Sequence, residues 1–227
     1  MTTYATDEEI ALRAPADFLA LCPKDQTLAC GTDGILLPTD PWTLRSPSIN
    51  FAAMGLMPGQ VVRLSEPSTF GPDGESFAVD VVGPGGLTLR RKGQASGIGR
   101  PPSPTSGLSG VEFVVRTLSP QLDRASYDLN LRFGIDETIP GRCSSDLQDP
   151  RVLVDATVLT VLSRQYLDRS RRFSGSSDEP GDWYGVKARL AKTELDDLLD
   201  RLVIRWLSAT NLAETAPITR FSTRLSR

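Results

Sequence analysis

The stretch GLMPGQVVRLSEP, Gly55 to Pro67, opens a run of β-rich segments in a chain whose two ends carry helical periodicity. Four strands are expected from it onward: QVVRLS (60–65), SFAVDVVG (76–83), LTLRR (87–91) and VEFVVRT (111–117). Each is rich in β-branched or aromatic residues, and Phe77, Val79 and Val81 alternate with Ala78, Asp80 and Val82. GPGG at 83–86 supplies glycines for a tight reversal between the second and third strands. Four short strands sharing one apolar face make a small barrel or a curled sheet. The loop KGQASGIGRPPSPTSGLSG that precedes the fourth strand has the composition of a mobile connection, or of one ordered only by a neighbour.

Upstream, TDEE carries a capping box: Thr6 and Glu9 stand at the spacing that satisfies two amides of a helix start reciprocally. Ile10 and Ala14 follow at helical spacing, and PADFLAL continues as a kinked or second short helix ending by Pro23. Lys24 to Asn50 is dense in turn formers, which predicts a surface loop with at most a short strand at Ile35–Leu37. Trp42 and Leu44 are expected to pin that loop to the body as packing anchors.

Downstream, SPQLDRASYDLNLRFG reads as a helix with Ser119 as N-cap, Pro120 at its first position and Gly134 as a left-handed stop. Leu122, Ala125, Leu129 and Phe133 form its stripe. Asp149 caps the next helix, whose first half is apolar nearly all round from Val152 to Leu162 and therefore central. Asp182 caps a final helix from Trp183 to about Ser208, with Leu195, Leu198, Leu199, Leu202 and Trp206 as its stripe. The remainder, NLAETAPITRFSTRLSR, has no periodicity and reads as an extended arm.

The fold class is therefore α+β: a helical bundle with an inserted small β-barrel or sheet module and an extended C-terminal arm. Its expected regions are N-terminal helices and loop (1–50), the inserted β module (51–118), the helical bundle (119–208) and the arm (209–227).

The 227 residues contain no histidine, which removes the commonest general base, the commonest neutral metal ligand and every Ser-His or Cys-His pair. Cys22, Cys30 and Cys143 have no CxxC spacing and are expected to be reduced thiols, each a small buried apolar side chain. Glu194, Asp196, Asp197 and Asp200 share their helix with interleaved Lys and Arg, as a solvated, ion-paired face does. SDEPGD (Asp178, Glu179, Asp182) lacks the alternating ligands of a calcium loop. No phosphate loop or nucleophile elbow is present. No enzyme activity and no cofactor, metal or catalytic residue are expected. With a net charge of −3, the chain has no global basic field to draw it to nucleic acid. No apolar run approaches the roughly 20 residues of a membrane span, and MTTYATDEEI lacks the features of an export signal, so a soluble protein made in the cytoplasm is expected.

Two basic features remain. Arg90, Arg91 and Lys92 end a strand, with Arg100 in the following loop, as a possible contact to DNA or a neighbouring subunit. Arg220, Arg224 and Arg227 line the C-terminal arm with Phe221 and Leu225 between them, a pattern suited to docking on an acidic partner whose pockets take the apolar residues.

The order of these elements resembles head–tail adaptor (connector, neck) proteins of tailed bacteriophages. The resemblance lies in TDEEIALRAPADFLA, in INFAAMGLMPGQVVRLS…SFAVDVVGPGGLTLRR, in SPQLDRASYDLNLRFGI, and in the DATVLTVLSRQYL and ELDDLLDRLVIRWL helices. It implies a structural virion protein of the neck, assembled in the host cytoplasm. Such a protein forms a homo-oligomeric ring, usually twelve-fold, between the portal and a stopper or tail protein, and genomic double-stranded DNA passes through without sequence-specific binding. In that setting Arg220, Phe221, Arg224, Leu225 and Arg227 form the portal-facing arm. A stopper or tail completion protein is an alternative within the same class, although the β insertion is larger than in the simplest, nearly all-helical adaptors. From a different class, a nucleic-acid-binding module on an SH3-like or OB-like barrel would use PGQVVRL as first strand and LRRK for phosphate contacts.

Overall fold

The computed structural model describes residues 3–37, 42–65, 68–70, 73–95, 107–173, 180–207 and 213–215. The chain divides into two compact units, Ala5–Pro120 and Met1–Tyr4 with Gln121–Arg227.

The first unit opens with α1 (Asp7–Arg13) and the single turn α2 (Phe18–Leu21). The capping box forms as the spacing requires, and the Thr6 amide donates to Glu9 Oε2 at 2.7 Å. A closed antiparallel barrel follows. Its strands are β1 (Thr27–Leu36), β2 (Thr43–Arg45), β3 (Val61–Ser65), β4 (Glu75–Gly83), β5 (Gly86–Arg90) and β6 (Leu108–Arg116). They pair around the ring in the order β1-β2-β5-β4-β3-β6, and β6 closes it onto β1.

This corrects the surface loop expected for Lys24 to Asn50. Ten of those residues form β1 and three form β2, so the β unit begins well before residue 51. Closure of a small barrel is the physical reason. β1 bends sharply against β6, with register shifts at Gly31/Gly34 and Gly34/Ile35. A Cβ on Gly31 would stand 2.8 Å from the Phe113 ring, and one on Gly34 would stand 2.5 Å from the Val111 carbonyl oxygen. Those glycines mark close approach inside a strand, not a turn.

Five aromatic rings pack among the aliphatic residues of the barrel core. Trp42 lies 5.2 Å from Phe77 and 6.2 Å from Phe70 between ring centroids, and Phe51 meets Phe113 at 5.5 Å. Trp42 and Leu44 are buried in that core, the anchoring role expected of them. Between β4 and β5, Gly83 pairs with Gly86 across the two-residue reversal. Gly86 has φ 142°, and a Cβ there would sit 2.4 Å from the Leu44 carbonyl oxygen, so the site accepts only glycine.

The second unit is built on α3 (Ser119–Phe133), α4 (Arg151–Phe173) and α5 (Pro180–Arg201). Leu129 of α3, Ala156 and Leu159 of α4 and Leu195 of α5 share one apolar cluster. Gly134 ends α3 at φ 66°, and the Ile135 amide donates back to the Asn130 carbonyl. At the start of α3 the Ser119 amide donates to Thr117 Oγ1 at 2.9 Å, so Thr117 supplies the capping hydroxyl expected from Ser119. Asp149 Oδ1 accepts from the Arg151 amide, as its capping role requires. Buried Thr157 and Thr160 turn their hydroxyls onto the Leu153 and Ala156 carbonyls of their own helix.

α5 ends at Arg201, short of the helix expected to run to about Ser208. The pattern changes period there. Leu202 and Ile204 are buried while Val203 and Arg205 are exposed, an alternation of two that only extended backbone satisfies. The chain becomes β7 (Arg205–Leu207), which pairs with β8 (Ala213–Thr215), and the Gln148 amide donates to the Arg205 carbonyl. Trp206 therefore leaves the α5 stripe and packs beside Ile135, Leu147 and Leu153. Within the expected arm, 213–215 is a strand, and the other residues of 209–227 lie outside the described residues. Among the described residues no helix is long and apolar enough to cross a membrane.

Candidate functional site

The strand-end arginine Arg90 is occupied. Its guanidinium forms a two-pronged pair with the Glu8 carboxylate, donates to the Gln94 carbonyl at 2.6 Å, and has Asp80 Oδ1 3.4 Å from Nε without hydrogen-bond geometry. Glu8 also accepts the Gly93 amide at 2.8 Å. The three side chains are 13%, 7% and 5% exposed for Arg90, Glu8 and Asp80. Hydrogen bonding to Glu8 pushes the Arg90 pKa further up, so its charge is permanent and already neutralised inside the unit. The function of Arg90 here is to clamp α1 to the β4–β5 hairpin.

Of its neighbours, Arg91 is exposed, and half-buried Lys92 has its pKa drawn down by burial. The group Arg90, Arg91 and Lys92 is thus not one phosphate-facing patch. Arg100 lies outside the described residues, as do Arg220, Phe221, Arg224, Leu225 and Arg227, and Asp178 and Glu179 of the SDEPGD segment.

Among the described residues, Asp7 is the carboxyl whose pKa burial raises most. Oδ1 accepts the Leu118 amide at 2.7 Å, Oδ2 is buried without a partner, and burial raises the pKa to about 6. Cys22 is buried, its thiol pushed up by burial and then by Asp7. The other two cysteines depart from the expected burial. Cys30 is exposed on β1, where alternate side chains face outward, and Cys143 is partly exposed with Sγ 3.4 Å from the Ile139 carbonyl.

The acidic residues of α5 do not converge. Asp196 pairs with Lys192 at 3.0 Å, and Arg201 donates to the Asp197 carbonyl, as a solvated face does.

The helical unit presents two surfaces that pattern reading passed over. One is a groove of about 700 Å³ between α3, α4 and α5. Leu129, Ala188 and Leu195 contribute to its floor, while Arg132, Arg164, Arg189 and Lys192 line it with a single carboxylate, Asp128. Asp128 pairs with Arg164 at 2.9 Å.

The other surface is the outer side of α5, where Trp183 and Leu190 are 59% and 61% exposed and Val186 lies between them. Lys187 fixes the Trp183 ring, its Nζ 4.9 Å from that centroid and 5.6 Å from that of Tyr166. Trp183, Val186 and Leu190 stand at i, i+3 and i+7, so a second apolar stripe was readable beside the Leu195–Leu199 one. The groove was not, because its walls come from three separated segments.

Comparison with known proteins finds no family model, curated protein or solved structure that matches the chain.

Proposed function

We propose that this protein is a structural component of a virus particle, a head–tail adaptor of a tailed bacteriophage that forms a ring between the portal and the next neck or tail protein. The observation that carries a role in assembly is the pairing, on one helical unit, of a cation-lined apolar groove with an exposed apolar stripe. Surfaces of this kind suit protein contact, because an apolar face left uncovered on a helix gains free energy only when another surface covers it. The specific setting comes from the resemblance in element order, and with it the twelve-fold ring, the virion neck and the passage of DNA.

The net charge of −3 suits a conduit, since DNA slides where few phosphates are held. The internal pairing of Arg90 weighs against the barrel as a nucleic-acid reader, because its best-placed cation has no charge left to offer.

In this proposal the portal contact belongs to the C-terminal residues Arg220, Phe221, Arg224, Leu225 and Arg227. The deletion that tests it begins after Thr215, so that the β7–β8 pair is kept. A chain lacking 216–227 is expected to stay folded and to lose co-sedimentation with portal rings of its own phage. Full stoichiometric binding by that truncated chain overturns the arm assignment. Tight DNA binding that weakens steeply with added salt overturns the adaptor in favour of a nucleic-acid module.

A further inference from the structure

We infer that the groove of the helical unit receives the outer face of α5 from a second copy of this chain, in a head-to-tail contact. The inference deepens the proposed ring, and rests on it only for its biological setting.

The two surfaces lie on opposite sides of one helix. At about 100° per residue, Trp183, Val186, Leu190, Glu194 and Asp197 fall within one narrow sector of α5. The α5 residues that line the groove, among them Ala188, Lys192, Leu195 and Leu199, occupy the opposite sector. A surface cannot meet itself in this arrangement. Each copy offers its stripe and receives another, the heterologous geometry that closes into a ring or extends as a filament.

The chemistry of the two surfaces is complementary. The stripe is apolar at its N-terminal end, through Trp183, Val186 and Leu190, and acidic toward its C-terminal end, through the exposed Glu194 and Asp197, before the terminal Arg201. The groove has an apolar floor and four cations; Arg164 is paired with Asp128 and Lys192 with Asp196, so Arg132 and Arg189 carry its charge toward the neighbour. Lengths match as well. From Trp183 to Asp197 is about 21 Å of helix, and the α5 wall of the groove from Gly185 to Leu199 is again about 21 Å. The chain's own C-terminal residues do not suit this groove, because Arg220, Arg224 and Arg227 would meet cations there.

The test uses the full-length protein and two double variants, all followed by analytical ultracentrifugation. V186S/L190S removes the stripe, and R132E/R189E reverses the groove; all four residues are exposed, so both variants keep the wild-type circular dichroism spectrum and melting temperature of the monomer. Wild type is expected to form species larger than a dimer as concentration rises toward about 0.1 mM. Each variant alone loses at least tenfold in association constant. Mixed one to one, they give a heterodimer that does not grow, because only one good stripe and one good groove are present.

A wild-type monomer at that concentration overturns the inference, as does undiminished assembly by either variant or a mixture that stays monomeric. Portal binding is measured separately with the wild type: a wild type that self-associates as expected but does not bind portal rings sinks the adaptor proposal and leaves this contact standing.

Discussion

The two units treat their difficult side chains in opposite ways. Among the described residues, the barrel unit leaves four large apolar side chains exposed, Leu12, Met54, Met57 and Val81, and the helical unit leaves nine. The barrel unit also folds its Arg90 charge inward onto Glu8 and Asp80, whereas the helical unit sets Arg132, Arg164 and Arg189 on an open groove. A surface finished within one chain is a scaffold. One that leaves cations beside uncovered leucines is suited to a neighbour.

Arginine truncation tests this contrast most strongly. Arg90→Ala strands two carboxylates that are nearly fully buried, and removing one partner of such a pair costs about 3–5 kcal/mol. Arg189→Ala in the groove is expected to cost under about 0.5 kcal/mol. Urea unfolding of the two variants side by side reads the difference directly. Similar losses in both would mean that the groove cations also hold the fold together.

Asp7 gives the next largest effect, and its sign is fixed by its environment. Its folded pKa of about 6 lies above the ordinary 3.8, so the folded state holds the proton more tightly than the unfolded chain does. The contribution of Asp7 to stability is therefore full below about pH 4 and lost as pH rises through 6. The span corresponds to roughly 2–3 kcal/mol. Asp7→Asn keeps an acceptor for the Leu118 amide and removes the titration. Between pH 4 and pH 7 the wild type is expected to lose that much relative to the variant, measured by urea unfolding at each pH. A constant difference across the range would place the proton elsewhere.

Much of this architecture was legible because it follows local rules. The capping box at Thr6, the left-handed stop at Gly134 and the Asp149 cap each depend on a few adjacent residues, whereas the alternation in β4 breaks down: Phe77 to Asp80 are all buried, and the register shift after Val79 leaves Val81 exposed. What escaped depends on residues far apart. β1 reads as loop because Gly31, Asp33 and Gly34 are turn formers in isolation; only Phe113 and the Val111 carbonyl, some eighty residues away, turn those glycines into a requirement for closure. Arg90 looked like a phosphate contact until Glu8 was brought to it by the fold. The end of α5 was misplaced because Leu202 and Trp206 fit a helical stripe by spacing, whereas the burial of Ile204 and the exposure of Val203 fit only a strand.

The smallest effect falls on Leu190, an exposed leucine of α5, read against buried Leu195 five residues on. Leu195 is buried in the cluster with Leu129 and Leu159, so Leu195→Ala removes packed methyl groups and should cost about 2–5 kcal/mol. Leu190 is 61% exposed, and alanine is at least as good a helix former, so Leu190→Ala should leave the monomer within about 0.5 kcal/mol of wild type. Stability under assembly behaves differently. If the outer stripe seats in a neighbouring copy, the wild-type melting temperature climbs with protein concentration, because association draws on the folded state alone. That climb should vanish in Leu190→Ala while the dilute melting temperature is unchanged. A wild type whose melting temperature is flat with concentration would mean that the nine exposed apolar residues of the helical unit await a different protein. A dilute Leu190→Ala chain that melts well below wild type would mean that the stripe is covered within its own chain.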